Sequence, residues 1–90
     1  MSPALPMPHA NIVMTEFEEG ESVLVDLDTK RYYQLNETAT LIWRALAEGR
    51  SKAEVVASLT SVYDVTCEDA EKSVDHVVAH LKAHRLVVAS

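Results

Sequence analysis

VLVDLDTKRYYQLNETATLIW, residues 23–43, runs two strand patterns directly into a capped helical pattern with no linker between them. Val23, Val25 and Leu27 alternate and predict a first strand with one apolar face, and the β-prone aromatic run Arg31 to Leu35 predicts a second. Asp28-Thr29-Lys30 supplies the turn. The side-chain oxygen of Asn36 is placed to accept from the orphan N–H groups of a helix first turn, and Ala39, Ile42, Trp43 and Leu46 recur behind it at helical spacing. The segment therefore predicts a hairpin joined rigidly to a helix.

Working outward, Asn11 to Phe17 reads as another strand, with Ile12, Val13, Met14 and Phe17 apolar, before the acidic turn Glu18-Glu19-Gly20-Glu21. The three strands form an antiparallel meander, which leaves two edges of unpaired backbone. The first helix spans about Glu37 to Ala47 and stops at Gly49, a residue suited to the left-handed position after a helix end. Ser51-Lys52-Ala53-Glu54 is a capping box opening a second helix, with Val55, Val56, Leu59 and Val62 on one stripe. After Asp64 and Val65, Thr66 and Asp69 repeat a weaker cap, and Ala70, Val74, Val77, Val78 and Leu81 mark a third helix reaching about His84. Leu86-Val87-Val88 is a short strand or tail. The fold class expected is α+β, a winged helix-turn-helix-like unit of three antiparallel strands followed by three helices.

Ninety residues, 48% of them hydrophobic, suffice for one domain with one modest core. Met1 to Ala10 carries three prolines and no basic, apolar signal-peptide pattern, so residues 1–10 read as a flexible tail and 11–90 as the domain. Cys67 is the one cysteine, which excludes an intrachain disulfide. No stretch approaches the roughly 20 apolar residues of a membrane span. Together these predict a soluble cytoplasmic protein with no membrane partner. Eight Lys and Arg against fourteen Asp and Glu give a net charge of −6, which opposes nucleic-acid binding.

Features that carry chemistry elsewhere are sparse. His76, His80 and His84 recur every fourth residue, but drift around a helix and have no cysteine close by, so no metal site is expected. Cys67 at the third helix start reads as a small residue near a cap. No nucleophile stands with a base and an orienting acid, and only two glycines are present, so there is no phosphate loop. A non-enzymatic role without cofactors follows.

Asp26-Leu-Asp-Thr-Lys-Arg-Tyr-Tyr-Gln-Leu-Asn-Glu-Thr-Ala, then Ile42-Trp43, Gly49, a helix opening at Ser51 and another ending near Leu86, resembles the PqqD-like family across roughly Val23 to Val87. The family comprises small recognition elements for the leader segments of ribosomally made, enzymatically modified peptides. One departure is Lys30, where relatives often have glycine. The resemblance implies that the leader adds as a strand along Arg31, Tyr32, Tyr33, Gln34 and Leu35. Tyr32 or Tyr33 then meets an apolar or aromatic anchor, and Asp69, Ser73, His76, Val77 and His80 on the third helix form the opposite wall. It also implies a separate modifying enzyme as partner. The wording is most similar to stand-alone leader-binding proteins of lasso-peptide biosynthesis, which work with a cysteine protease; the competing relative is a PqqD-type chaperone serving a radical SAM enzyme. Two other classes stay open, a winged-helix DNA-binding regulator and a self-associating scaffold. Glu68-Asp69-Ala70-Glu71 opposes the first, because a recognition helix should begin basic.

Overall fold

The computed structural model describes residues 5–88. Eight elements follow in order: β1 Met7–Pro8, β2 Ile12–Glu16, β3 Ser22–Asp26, β4 Tyr32–Leu35, α1 Glu37–Ala47, α2 Lys52–Val62, α3 Cys67–Ala83 and β5 Val87–Val88. The fold is α+β, with an antiparallel sheet in the order β2-β3-β4 followed by three helices. Met14 faces Leu24, and Leu24 faces Tyr33. Directly opposed residues share a face, so these three, with Ser22 and Leu35, form the side turned toward the helices.

That face differs from the one expected. Val23, Val25 and Leu27 make the alternating apolar face of the sequence reading, yet Ser22 and Leu24 are fully buried, Val23 and Val25 are half-buried, and Leu27 is exposed. Both faces of β3 carry apolar side chains, and the polar Ser22 disguises the inner one. Its hydroxyl shares a hydrogen bond with the buried Thr40 hydroxyl at 2.7 Å, which satisfies both groups inside the core.

The hairpin turn is held from within. Asp26 Oδ1 accepts from the N–H of Asp28 at 2.9 Å and of Thr29 at 3.4 Å, and the Lys30 N–H donates to the Asp26 carbonyl at 2.8 Å. Lys30 adopts φ 62°, so the chain accepts the left-handed conformation at a residue with a Cβ. Lys30→Gly removes that strain and is expected to stabilise the protein by about 0.5–1 kcal/mol, net of glycine's larger unfolded-state entropy. Urea denaturation measures it, and an unchanged or lower midpoint refutes it.

Each helix begins on its sequence cap. Asn36 Oδ1 accepts from the Ala39 N–H at 2.8 Å, Ser51 and Glu54 form the reciprocal capping box, and Thr66 Oγ1 accepts from Asp69 at 3.1 Å. Helix α1 closes through Gly49 at φ 73°, with Gly49 N–H bonded to the Leu46 carbonyl and Arg50 N–H to that of Ala45. Helix α3 closes the same way, with Arg85 at φ 57° in the glycine-like position. In α2 the buried residues are Val55, Val56 and Leu59; Val62, in phase with Val55 but last in the helix, is exposed. Trp43, Ile42, Leu46, Val74, Leu81 and Leu86 fill the core between sheet and helices.

The N-terminal segment also departs from expectation. Residues 1–4 of the expected tail lie outside the described residues, but Leu5 packs on the core, Pro6 is buried, and Met7–Pro8 pairs antiparallel with Val87–Val88. Strand pairing thus begins before residue 11, at Met7. His9 N–H donates to the Leu86 carbonyl at 3.0 Å and extends the ribbon.

Candidate peptide-binding groove

Strand β4 is an edge of the three-stranded sheet. Antiparallel pairs alternate between exchanging and not exchanging hydrogen bonds. The Asp26 N–H donates to the Arg31 carbonyl at 2.8 Å, which fixes the phase. Tyr33 and Leu35 then direct their backbone groups at Leu24 and Ser22, whereas Tyr32 and Gln34 direct theirs away from β3. The free N–H and C=O groups of the edge belong to Tyr32 and Gln34.

The same alternation separates the two tyrosines. Tyr32 is 75% exposed on the outer face, while Tyr33 is half-buried and turned to α3. The Tyr33 ring meets the His84 ring at 5.1 Å between centroids, and His84 in turn lies 4.5 Å from His80, edge to face. The C-terminal half of α3 therefore stands beside the beginning of β4. By helical spacing Asp69, Ser73, His76, Val77, His80 and His84 share one flank. Val77 is half-buried against the core; Asp69, Ser73, His76 and His80 are exposed.

Two concavities mark the ends of this flank. At the His84 end an open cleft of about 950 Å³ runs between Arg31 and Tyr33 on one side and Lys82 to Arg85 on the other, with Asp26 and Asp28 at its turn. Burial pushes the Asp26 carboxyl up, but the N–H groups of Asp28 and Thr29 that donate to it leave it below the usual carboxylate range. At the far end Ser73 lines a cavity of about 160 Å³ with Thr38, Leu59, Tyr63, Val65 and Ala70.

The structure thus places Arg31 and Tyr33 in the cleft, His80 beside it through His84, and Ser73 at the far cavity. Leu35 is buried in the core, so its side chain does not reach the edge. Asp69 and His76 lie on the flank but line neither concavity. Sequence reasoning left out His84, Lys82, Arg85 and Tyr63. Only His84 carried a signal, its four-residue spacing from His80. Among the described residues no three His, Cys, Asp or Glu side chains converge as metal ligands, and no helix is long and apolar enough to cross a membrane.

An open sheet edge beside a helix flank is a geometry able to accept an added strand. Residues 21–87 match the sequence profile of the family described as coenzyme PQQ synthesis protein D, and the chain belongs to that PqqD family. Two solved structures are similar. Lasso peptide synthetase B1 complexed with the leader peptide is 35% identical, with a TM-score of 0.84 over 94% of this chain and 99% of that one. TbiB1 in complex with the TbiA(beta) leader peptide is 25% identical, with a TM-score of 0.82 over 90% of this chain and 93% of that one. No curated protein matches the sequence significantly.

Proposed function

We propose that this protein binds the leader segment of a ribosomally made precursor peptide and presents it to a separate modifying enzyme. The observation that carries the reading is the unpaired β4 edge, whose outward backbone groups lie at Tyr32 and Gln34, beside the groove between Tyr33 and α3. A leader segment adds there as an antiparallel strand. Ladder bonds to Tyr32 and Gln34 give sequence-tolerant affinity, and side chains reaching Tyr33, Val77, His80 and His84 give selection. Arg31, Lys82 and Arg85 line the open cleft opposite Asp26 and Asp28, so it offers cations to an acidic side chain of the leader on its α3 side within an acidic protein.

Both similar structures hold a leader peptide, and the one with 35% identity is a lasso peptide synthetase component. That favours a leader-cleaving cysteine protease as the working partner over the radical SAM enzyme of the PQQ pathway. The lone, exposed Cys67 fits a cytoplasmic site of action. A DNA-binding role is opposed by Glu68 and Asp69 in the first turn of α3, where phosphate would have to approach.

Calorimetric titration with the leader of the precursor encoded beside this gene tests the reading. Saturable one-to-one binding is expected, and mass spectrometry of the incubated mixture should return the leader at its starting mass. Absence of saturable binding overturns leader recognition. Cleavage or mass gain dependent on this protein alone overturns the non-enzymatic role.

A further inference from the structure

Four of the eight large apolar side chains exposed among the described residues, Val13, Phe17, Leu27 and Tyr32, belong to one surface, the side of the sheet turned away from the helices. The strand register joins them. Val13 faces Val25 and Val25 faces Tyr32, so an apolar row crosses all three strands, with Val23 beside it on β3. The Leu27 N–H donates to the Asn11 carbonyl at 3.0 Å and the Phe17 N–H to the Glu21 carbonyl at 2.8 Å, which carries the ladder one pair past β2 at each end and sets Leu27 and Phe17 on the same side. An antiparallel sheet with one solvated face normally keeps that face polar, whereas this one is apolar on both. A contiguous exposed apolar surface is the mark of an interaction site.

We propose that the outer face of the sheet is the docking surface for the modifying enzyme, and that the bound leader completes it as a fourth strand. The inference rests on the leader-binding reading. It commits to a partner with an apolar patch and basic groups along one margin.

Three observations select this occupant. The first is continuity with the peptide-accepting edge: Tyr32 ends the apolar row and also directs its backbone groups away from β3, toward an incoming strand. The leader residue that exchanges bonds with Tyr32 turns its side chain to the same outer face, about 5 Å from the Tyr32 side chain. The row then continues from Val13, Val25 and Tyr32 onto the leader, so a loaded domain presents a surface that an empty one lacks. The second is size. Three strands of five residues give a footprint of roughly 240 Å², against the roughly 800 Å² that each partner contributes to a stable interface, so a second copy packed on this face alone falls short. A partner that also covers the leader strand and the margin gains the missing area. The third is charge. Glu18 and Glu19 follow Phe17 at the β2–β3 turn in a chain of net charge −6, which opposes a like-charged copy and favours a partner with basic groups there.

The modifying enzyme encoded beside this gene is titrated calorimetrically into the full-length protein, empty and saturated with synthetic leader. The loaded protein should bind it at least about threefold more tightly than the empty one. Val13→Lys and Phe17→Lys should each weaken that binding at least about tenfold. Both variants should hold the leader within about twofold of wild type, since neither residue lies on β4. Val62→Lys, which adds the same charge at an exposed apolar position of α2, should change neither affinity. Circular dichroism confirms that each variant is folded, and Phe17, just outside β2, keeps the test open where Val13→Lys disturbs the strand. An enzyme that does not bind the loaded wild type, binds empty and loaded protein equally, or binds both outer-face variants as tightly as wild type overturns the docking surface. So does an equal loss in Val62→Lys, or a dimer in analytical ultracentrifugation that Val13→Lys dissociates, because a second copy then covers the face. Any of these with leader affinity intact leaves leader recognition standing; failure of the wild type to bind the leader removes the reading on which the docking surface rests.

Discussion

Gln34→Pro is expected to weaken leader binding by at least about tenfold while leaving the protein folded. The Gln34 N–H points away from β3, so proline at this site deletes no bond of the existing ladder, and edge strands tolerate it there. An incoming strand loses a donor and meets the pyrrolidine ring. Gln34→Ala keeps the backbone donor and should stay within about threefold of wild type, because the exposed amide contributes little. Tyr33→Pro behaves oppositely: its N–H faces Leu24 within the sheet, so the variant should lose stability before binding is even tested. Calorimetry after a circular-dichroism check of folding measures all three. Equal affinity of Gln34→Pro and wild type eliminates strand addition at β4.

The largest stability loss is expected at Trp43. Its side chain is 3% exposed in the core beneath the sheet, and Trp43→Ala should cost about 3–5 kcal/mol through lost burial and the cavity left behind. A 90-residue domain has roughly 5–13 kcal/mol in all, so the variant retains a small remainder or unfolds at ambient temperature. Chemical denaturation followed by far-ultraviolet circular dichroism measures the difference. A loss below about 1 kcal/mol refutes the assignment of Trp43 as a central core residue.

What was legible in the sequence was local. Asn36, Ser51 with Glu54, and Thr66 each mark a helix start by a bond to a residue three positions on, and all three caps form. The meander was legible because short turns force sequential strands to pair. The inner face of β3 was not: Val23, Leu24 and Val25 are apolar on both faces, and the partner that makes Ser22 a core residue, Thr40, lies eighteen positions away. Likewise the β1–β5 ribbon joins two-residue segments from opposite ends of the chain: Val87-Val88 reads as a short strand or tail, but Met7-Pro8 contains a proline and has no strand pattern of its own.

The candidate site was legible in outline and blurred in detail. The resemblance pointed to Arg31 through Leu35, but only the ladder phase separates the outward Tyr32 and Gln34 from the inward Tyr33 and Leu35. Arg31 and Arg85 are far apart in sequence and meet at one cleft because α3 runs back along the groove to the start of β4. Tyr63 follows α2 as an unremarkable helix-end aromatic in sequence, and becomes notable only when its hydroxyl is found enclosed without a partner.

The β1–β5 ribbon bears on how such a domain can be wired to others. Because Met7 opposes Val88 and Pro8 opposes Val87, the two ends of the described chain lie side by side, next to the cleft that His9 and Val88 help to line. A tether attached at either end thus starts from nearly the same point. An enzyme joined before β1 or after β5 by a linker of equal length would sample the same volume around the groove, so gene order imposes no geometric preference on a fusion. Joining the two ends through a short bridge and reopening the chain in the Glu18-Glu19-Gly20 turn would preserve every strand pairing, giving a circular permutant with its new termini displaced from the groove mouth.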